Sequence, residues 1–391
     1  MIVWTVLLVL LTGVGAGLTI VLWPTGRPTN TLWFWFCVFG YPFLACAFLL
    51  FAWLGYGYVC RNQAIATNRV SDEAEQTCHA LASRPLAILG HAWCFAANDS
   101  ENSLEGLLTG ADLAKLRPSA AIADTEVNAR WLDIPDTHFQ AGNELAEHAR
   151  HGAVSTWLLE RLVDRLLPQL RALPPRSRLQ VELHHQSRLT SAAVATRLRE
   201  LIAERVPALK MDMVSGDHAP SLFRTDAWLD NRDANLAHLL VAIELRDAIS
   251  AVLSDGVAEA GVALLVGGPH LASPACSIGL RLHRPAKATL DAAARTLELA
   301  ARWGLSSRER LRTVWAHGLN LDSVSAVRHA ASWVDEAQWN VLEASVGDCS
   351  GAGPWLAVAL AAENVRTTGD PQMVVCGEGE ELIALTCRRQ A

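Results

Sequence analysis

Two long runs near the N-terminus, Ile2–Trp23 and Leu32–Cys60, contain no charged residue. Each exceeds the ~20 apolar residues that cross the hydrocarbon core of a bilayer. Within lipid a single segment satisfies all its backbone polar groups only as a helix, so residues 1–60 are expected to form a transmembrane hairpin with spans over about 2–23 and 32–60. A pair of buried core helices would be shorter than this, and a cleaved signal peptide would start with basic residues and lack a second span. Trp33, Trp35, Trp53, Tyr56 and Tyr58 suit the aromatic belt at a membrane interface. The turn between the runs carries only Arg27, whereas Arg61 and Arg69 follow the second run. The positive-inside bias then places the large remainder of the chain in the cytoplasm.

That remainder is long enough for a sizeable core: the chain has 391 residues, 51% of them hydrophobic, and a formal net charge of −7. No polybasic run is present, which argues against a nucleic-acid partner. None of the nine cysteines forms a C-x-x-C pair, so neither a zinc module nor a disulfide framework is indicated. Cys78, Cys94, Cys276, Cys349, Cys376 and Cys387 form an even set whose spacing neither requires nor excludes disulfides. His184 and His185 are neighbours on an expected strand and so face opposite sides, and no third ligand stands at metal-site spacing. No metal or cofactor is expected.

After a polar linker over residues 61–83, apolar periodicity alternates between helix and strand, and one order of elements recurs. In the first half a helix (about Ser155–Leu173) leads to "RLQVELHH", helix "SAAVATRLRELIAERV", strand "LKMDMVS", helix "ANLAHLLVAIELRDAISAVL", and an apolar strand pair, "GVALLVGG" and "CSIGLRLH". In the second a helix (about Ala288–Trp303) leads to "RLRTVWAHG", helix "SAVRHAASWVDEA", strand "NVLEASVG", helix "PWLAVALAAENV", and the pair "QMVVCGEG" and "LIALTCRR". Strands joined by helices of this length favour parallel pairing with right-handed crossovers. Residues 84–285 and 286–391 therefore read as two α/β halves, with an ordinary doubly wound sheet as the alternative.

Several motifs resemble the β-ketoacyl synthases of the thiolase-like superfamily. "RPLAILGHAWCFAANDSENSLEGLLTGAD" is similar to their opening strand, loop and helix, and "ANLAHLLVAIELRDAISAVLSDGVAEAGVALLVGG" to the nucleophile helix and the strand after it. "VWAHGLNLDSV" resembles the Ala-His-Gly-Thr motif, "ASVGDCSGAGPWLAVALAAENV" the Gly-Asn-x-Gly-His loop with its helix, and "VVCGEGEELIALTCRR" the closing Gly-rich hairpin. The resemblance covers about Arg84–Arg389 and implies a duplicated thiolase-like (αβαβα) α/β fold.

The same resemblance puts the condensing chemistry in doubt. It requires a cysteine at the N-terminus of the buried helix, where the helix dipole favours a thiolate, but the corresponding position is Leu236, flanked by Asn235 and Ala237. His317 matches the first family histidine, while the second falls on Ser350 or Gly351. Cys276, in "PACSIG", follows the wrong strand, Cys94 replaces an arginine in a structural loop, and Cys349 could approach the cavity from the second half. Asn235, Leu236, Ala237, His317, Cys349 and Ser350 are thus the expected lining of a vestigial pocket. Among non-catalytic relatives, the resemblance implies an adaptor of the bacterial type VI secretion system, held at the inner membrane and binding a secretion effector or spike component. A homodimer is compatible with it. The alternatives are a membrane-tethered acyl-binding or acyl-transfer protein and a condensing enzyme with a displaced nucleophile.

Overall fold

The computed structural model describes residues 2–390 apart from 111–114, 216–218, 232, 273–278 and 307–309. The chain divides into two units, with the boundary between Cys78 and His79.

The first unit is helical. Helix α1 (Ile2–Leu22) is followed by a turn and by α2 (Leu32–Trp35), whose first turn is capped by the Thr31 hydroxyl accepting from Phe34 N. A π turn over Phe36–Gly40 leads into α3 (Tyr41–Ala82). Pro42 has no N–H for the helical ladder, and the widened turn just before it absorbs the defect. Pro42 also packs on Gly15 of α1, where an added Cβ would lie 2.3 Å from its ring. Both apolar helices are long enough to cross a membrane. The stretch read as a linker, residues 61–83, continues α3 as helix to Ala82.

The second unit opens with β1 (Leu86–Cys94) and α4 (Leu104–Thr109), whose N-cap Ser103 accepts from Gly106 N and whose end is turned by Gly110 at φ 74°. A short ribbon follows, β2 (Arg117–Pro118) on β3 (Glu126–Val127). Helix α5 (Glu144–Arg171) presents Val154, Leu158, Leu162, Leu166 and Leu170 along one buried face, the stripe expected of a helix packed on a sheet. Then come β4 (Arg178–Gln186), α6 (Ser191–Arg205), β5 (Lys210–Ser215), α7 (Arg224–Asp230), β6 (Leu236–Glu244) and β7 (Ala260–Gly267). The chain continues through β8 (Leu280–Leu282), β9 (Ala286–Thr289), α8 (Ala293–Trp303), β10 (Thr313–His317), α9 (Leu321–Ala330) and α10 (Ser332–Asp335). It closes with β11 (Gln338–Val341), α11 (Leu342–Ser345), α12 (Gly353–Thr368), β12 (Gln372–Glu378) and β13 (Glu381–Arg389).

The large sheet runs β11-β10-β12-β13-β8-β1-β7-β6-β4-β5, with β9 added on β13. Its two ends repeat one pattern. β4 pairs in parallel with β5 and β6, and β6 antiparallel with β7. β10 likewise pairs in parallel with β11 and β12, and β12 antiparallel with β13. The two ends of the sheet are joined through β8, which pairs antiparallel with β1 on one side and β13 on the other. One core packs α5 and α6 on the first half, and another packs α8 and α9 on the second. Between them lies a third core built on α12, in which every residue from Trp355 to Ala362 is buried. A helix apolar on all sides belongs inside the protein.

Two expectations are corrected. The segment 234–253, read as a helix, contains strand β6, whose residues from Ala237 onward are buried. A continuous apolar run buried on both faces fits a core strand and a core helix equally well. The counterpart of β12 is therefore β6, and the position of α12 in the first half falls to the seven-residue α7. Nor do "GVALLVGG" and "CSIGLRLH" pair with each other: β1 lies between β7 and β8.

Candidate functional site

The expected site residues do not gather in one place. Leu236 opens β6 and Glu244 ends it, so Asn235, Leu236 and Ala237 stand about 26 Å along the strand from Glu244 at the strand rise. Leu236 lines a cavity of about 370 Å³ with Trp228, Leu229 and His238, while Ala237 is fully buried. His317, Cys349 and Ser350, by contrast, come together at the opposite ends of the strands. Cys276 lies outside the described residues. Cys94 is buried in β1, where burial pushes its thiol up to about 11.

The His317 cluster is built by the ends of β4, β6 and β10 and by the turn before α12. His317 is 5% exposed. Its Nδ1 lies 2.8 Å from Glu343 Oε1, and its Nε2 is 3.1 Å from the Ser350 carbonyl oxygen. Burial alone would raise the Glu343 pKa, but the His317 ring and the Gly318 N–H hold its carboxyl below the usual range. Ser350 takes φ 41°, a left-handed conformation uncommon outside glycine. Its N–H donates to Asp348 Oδ1 at 2.8 Å, and its hydroxyl accepts from Arg246.

Two glycines let the rings approach the turn. A Cβ on Gly353 would lie 2.2 Å from His317 Cε1, and one on Gly351 would lie 2.3 Å from His184 Nε2. His184 in turn stands 3.7 Å from Glu244 Oε2, with Arg246 3.5 Å from Glu244 Oε1.

Arg246 is held by its backbone. Its N–H donates to Glu259 Oε1 at 2.7 Å, and its carbonyl accepts from Arg150 at 3.1 Å and meets His151 Nε2 at 2.9 Å. Arg150, fully buried, bridges Glu147 and Glu259 and also donates to the Leu132 carbonyl. Glu147 accepts from the Ile249 and Ser250 amides. This network satisfies the buried charges, as burial requires, and fixes the loop that aims the Arg246 guanidinium at Ser350.

Chemically, the cluster supplies an imidazole backed by a carboxylate and a guanidinium beside a hydroxyl. It does not supply a thiolate. Burial, together with the carboxylates of Asp348, Glu244 and Glu343, pushes the Cys349 thiol far up, and Cys376, registered beside His317 on β12, is raised in the same way. Glu343, Arg246, Glu244 and the placement of His184 do not stand out in the sequence. The signal available for His184 is the repeat itself, since "ELHHQ" and "WAHGL" come from matching strands.

No family model matches the sequence, and no curated protein matches it. Among solved structures, the chain is similar to the PfaC ketosynthase–chain length factor, with TM-score 0.54 and 12% identity over 79% of this chain and 43% of that one. It is similar to the ishigamide ketosynthase/chain length factor, with TM-score 0.53 and 12% identity over 78% of this chain and 100% of that one. It is also similar to the oxazolomycin ketosynthase domain of Streptomyces albus JA3453, with TM-score 0.51 and 11% identity over 78% and 96% of the two chains. The chain thus spans less than half of the first of these and nearly all of the other two. Likeness at such identity is one of fold: the second unit has the ketosynthase-like, thiolase-like α/β architecture.

Proposed function

We propose that this chain is a membrane-anchored ketosynthase-fold protein that does not condense acyl thioesters and instead serves as a scaffold or adaptor for a protein partner. The observation that carries this reading is the first half's substitute for α12. Between β5 and β6 the one helix among the described residues is the seven-residue α7, and the sequence leading to it, residues 216–223, contains no cysteine. Acyl transfer of this kind needs a thiolate at a helix N-terminus, and burial raises the pKa of Cys349 and Cys376, the described thiols beside His317. In this reading the two apolar helices hold the protein in a bacterial inner membrane with the large unit in the cytoplasm. The partner is a type VI secretion effector or spike component, by analogy of fold alone.

The test is to incubate the full chain, in detergent, with acyl thioesters and to examine the intact protein by mass spectrometry. No covalent acyl adduct is expected. An adduct lost on Cys276→Ala would overturn the reading, and so would purification from cells without any protein partner.

One observation favours the acyl-binding alternative, the cavity beside Leu236, where Leu86, Trp228 and Leu229 stand with the polar Arg84, Asp233 and His238. Acyl chains that co-purify with the full chain, and are lost on Leu236→Trp with the fold intact, would support it.

A further inference from the structure

A separate cavity of about 390 Å³ lies between the loop after β1 and the β2–β3 ribbon. Among the described residues its wall carries Lys115, Arg117 and Arg130 against Glu101 and Asp133, an excess of one positive charge. Arg117 is registered opposite Val127 in the ribbon. Its Nε donates to the Ala129 carbonyl and one terminal nitrogen to the Trp131 carbonyl, both at 3.2 Å, and its guanidinium lies 3.1 Å from the centre of the Trp131 ring. Neighbouring Arg130 is fixed through its backbone, its N–H donating to the Val257 carbonyl at 3.0 Å and its carbonyl accepting from Glu259 N at 2.8 Å.

Carbonyl dipoles and the quadrupole of an aromatic face carry no net charge, and among the described residues no carboxylate forms an ion pair with Arg117. Burial therefore dominates and lowers the Arg117 pKa to about 10, with Asp133 acting against it only through space. A partly buried guanidinium with no carboxylate in contact keeps donors free for an anionic ligand.

We propose that this cavity binds a small molecule through a single carboxylate or phosphate group paired with Arg117. The fork of the guanidinium matches either oxyanion. The two carbonyl bonds and the Trp131 ring already orient the side chain, so little ordering is left for binding to impose. A single negative charge matches the excess of the wall, whereas further anionic groups would meet Glu101 and Asp133.

The experiment titrates the full chain in detergent, by calorimetry, with inorganic phosphate, with benzoate and with choline. Saturable heat is expected from phosphate, from benzoate or from both, and none from choline; the probe that binds identifies the oxyanion. Arg117→Met should weaken binding by roughly tenfold or more, and Arg117→Lys by less, because the charge remains while the fork is lost. Glu101→Gln should strengthen it severalfold by removing a repelling charge at the rim. No saturable heat from either anion would overturn the proposal, as would equal affinity in Arg117→Met with an unchanged circular dichroism spectrum. Should Arg117→Met fail to fold, the Glu101→Gln shift decides, and its absence counts against the site.

Discussion

His184 and His317 occupy equivalent positions in the two halves of the sheet. His184 on β4 is registered with Ala242 of β6, and His317 on β10 with Cys376 of β12. Two residues beyond each register partner stands a glutamate, Glu244 in one half and Glu378 in the other. The two halves use these groups differently. His184 keeps its own half's glutamate as neighbour, while His317 takes Glu343, and Glu378 accepts instead from Leu222 N at 3.2 Å. Both rings meet the single turn before α12, which belongs to the second half alone. A duplicated scaffold is thus asymmetric at its centre.

That close approach makes the glycines of the turn sensitive. Gly353→Ala and Gly351→Ala should each destabilise the protein by about 1–3 kcal/mol, because the added methyl meets a ring packed on all sides. Gly152, in the middle of α5, has nothing within 4 Å of the place an added methyl would take. Gly152→Ala should therefore stabilise by about 0.5–1 kcal/mol. Urea midpoints of the full chain in detergent check both directions, and equal behaviour at all three positions would refute the packing described.

The buried network around Arg150 predicts a pH dependence. Burial alone would raise the Glu147 pKa; hydrogen bonds from His151, the Ser250 and Ile249 amides and Arg150 outweigh it and lower the value from 4.5 to about 2. A carboxylate with a depressed folded pKa contributes its full stability above about pH 4.5 and loses it as the pH falls toward about 2. Glu147→Gln leaves Arg150 short of one partner and should cost about 3 kcal/mol at pH 6. The difference from the native chain should shrink steadily below pH 4.5. A pH-independent difference would show that the charge of Glu147 is not what holds the 245–250 loop.

Much of this architecture is readable from the residues. The uncharged runs mark the two long helices, and the alternation of elements marks a two-half α/β unit. Strand and helix become indistinguishable where both faces are buried, as in Leu236–Glu244. There period 2 and period 3.6 both vanish, and one misread element shifts the expected pocket to the far end of its strand. His317 and Ser350 are legible because their motifs sit in turns, where glycines leave a local mark. Glu343 and Arg246 are not, since each acts through a partner distant in the chain, Arg246 reaching across 104 residues to Ser350.

Burial divides the cysteines into shielded and exposed sets. Burial pushes Cys94 up to about 11 and Cys387 up to about 12, and raises Cys349 and Cys376 as well. Cys60 and Cys78 are exposed. In a Cys276→Ser background at pH 8, an aromatic disulfide reagent should modify Cys60 and Cys78 within minutes and Cys94, Cys349, Cys376 and Cys387 only after denaturation. Fast modification of Cys349 or Cys376 in the folded chain would mean that the centre beside His317 is open, and it would revive a nucleophilic role there.

In the proposed membrane-anchored arrangement, Cys78 also reports orientation. The turn between the apolar helices carries Arg27 alone, whereas Arg61 and Arg69 follow the second run, and basic residues close to a span are retained on the cytoplasmic side. In the Cys60→Ser, Cys276→Ser background, an impermeant maleimide should leave Cys78 unmodified in intact spheroplasts and modify it once the membrane is opened. The margin is a single arginine, so the orientation should also be easy to invert. Thr25→Arg with Thr29→Arg gives the turn three arginines against two, and Cys78 should then become reactive in intact spheroplasts. If Cys78 of the unaltered protein were modified from outside, the large unit would lie beyond the membrane, and a cytoplasmic partner would be ruled out.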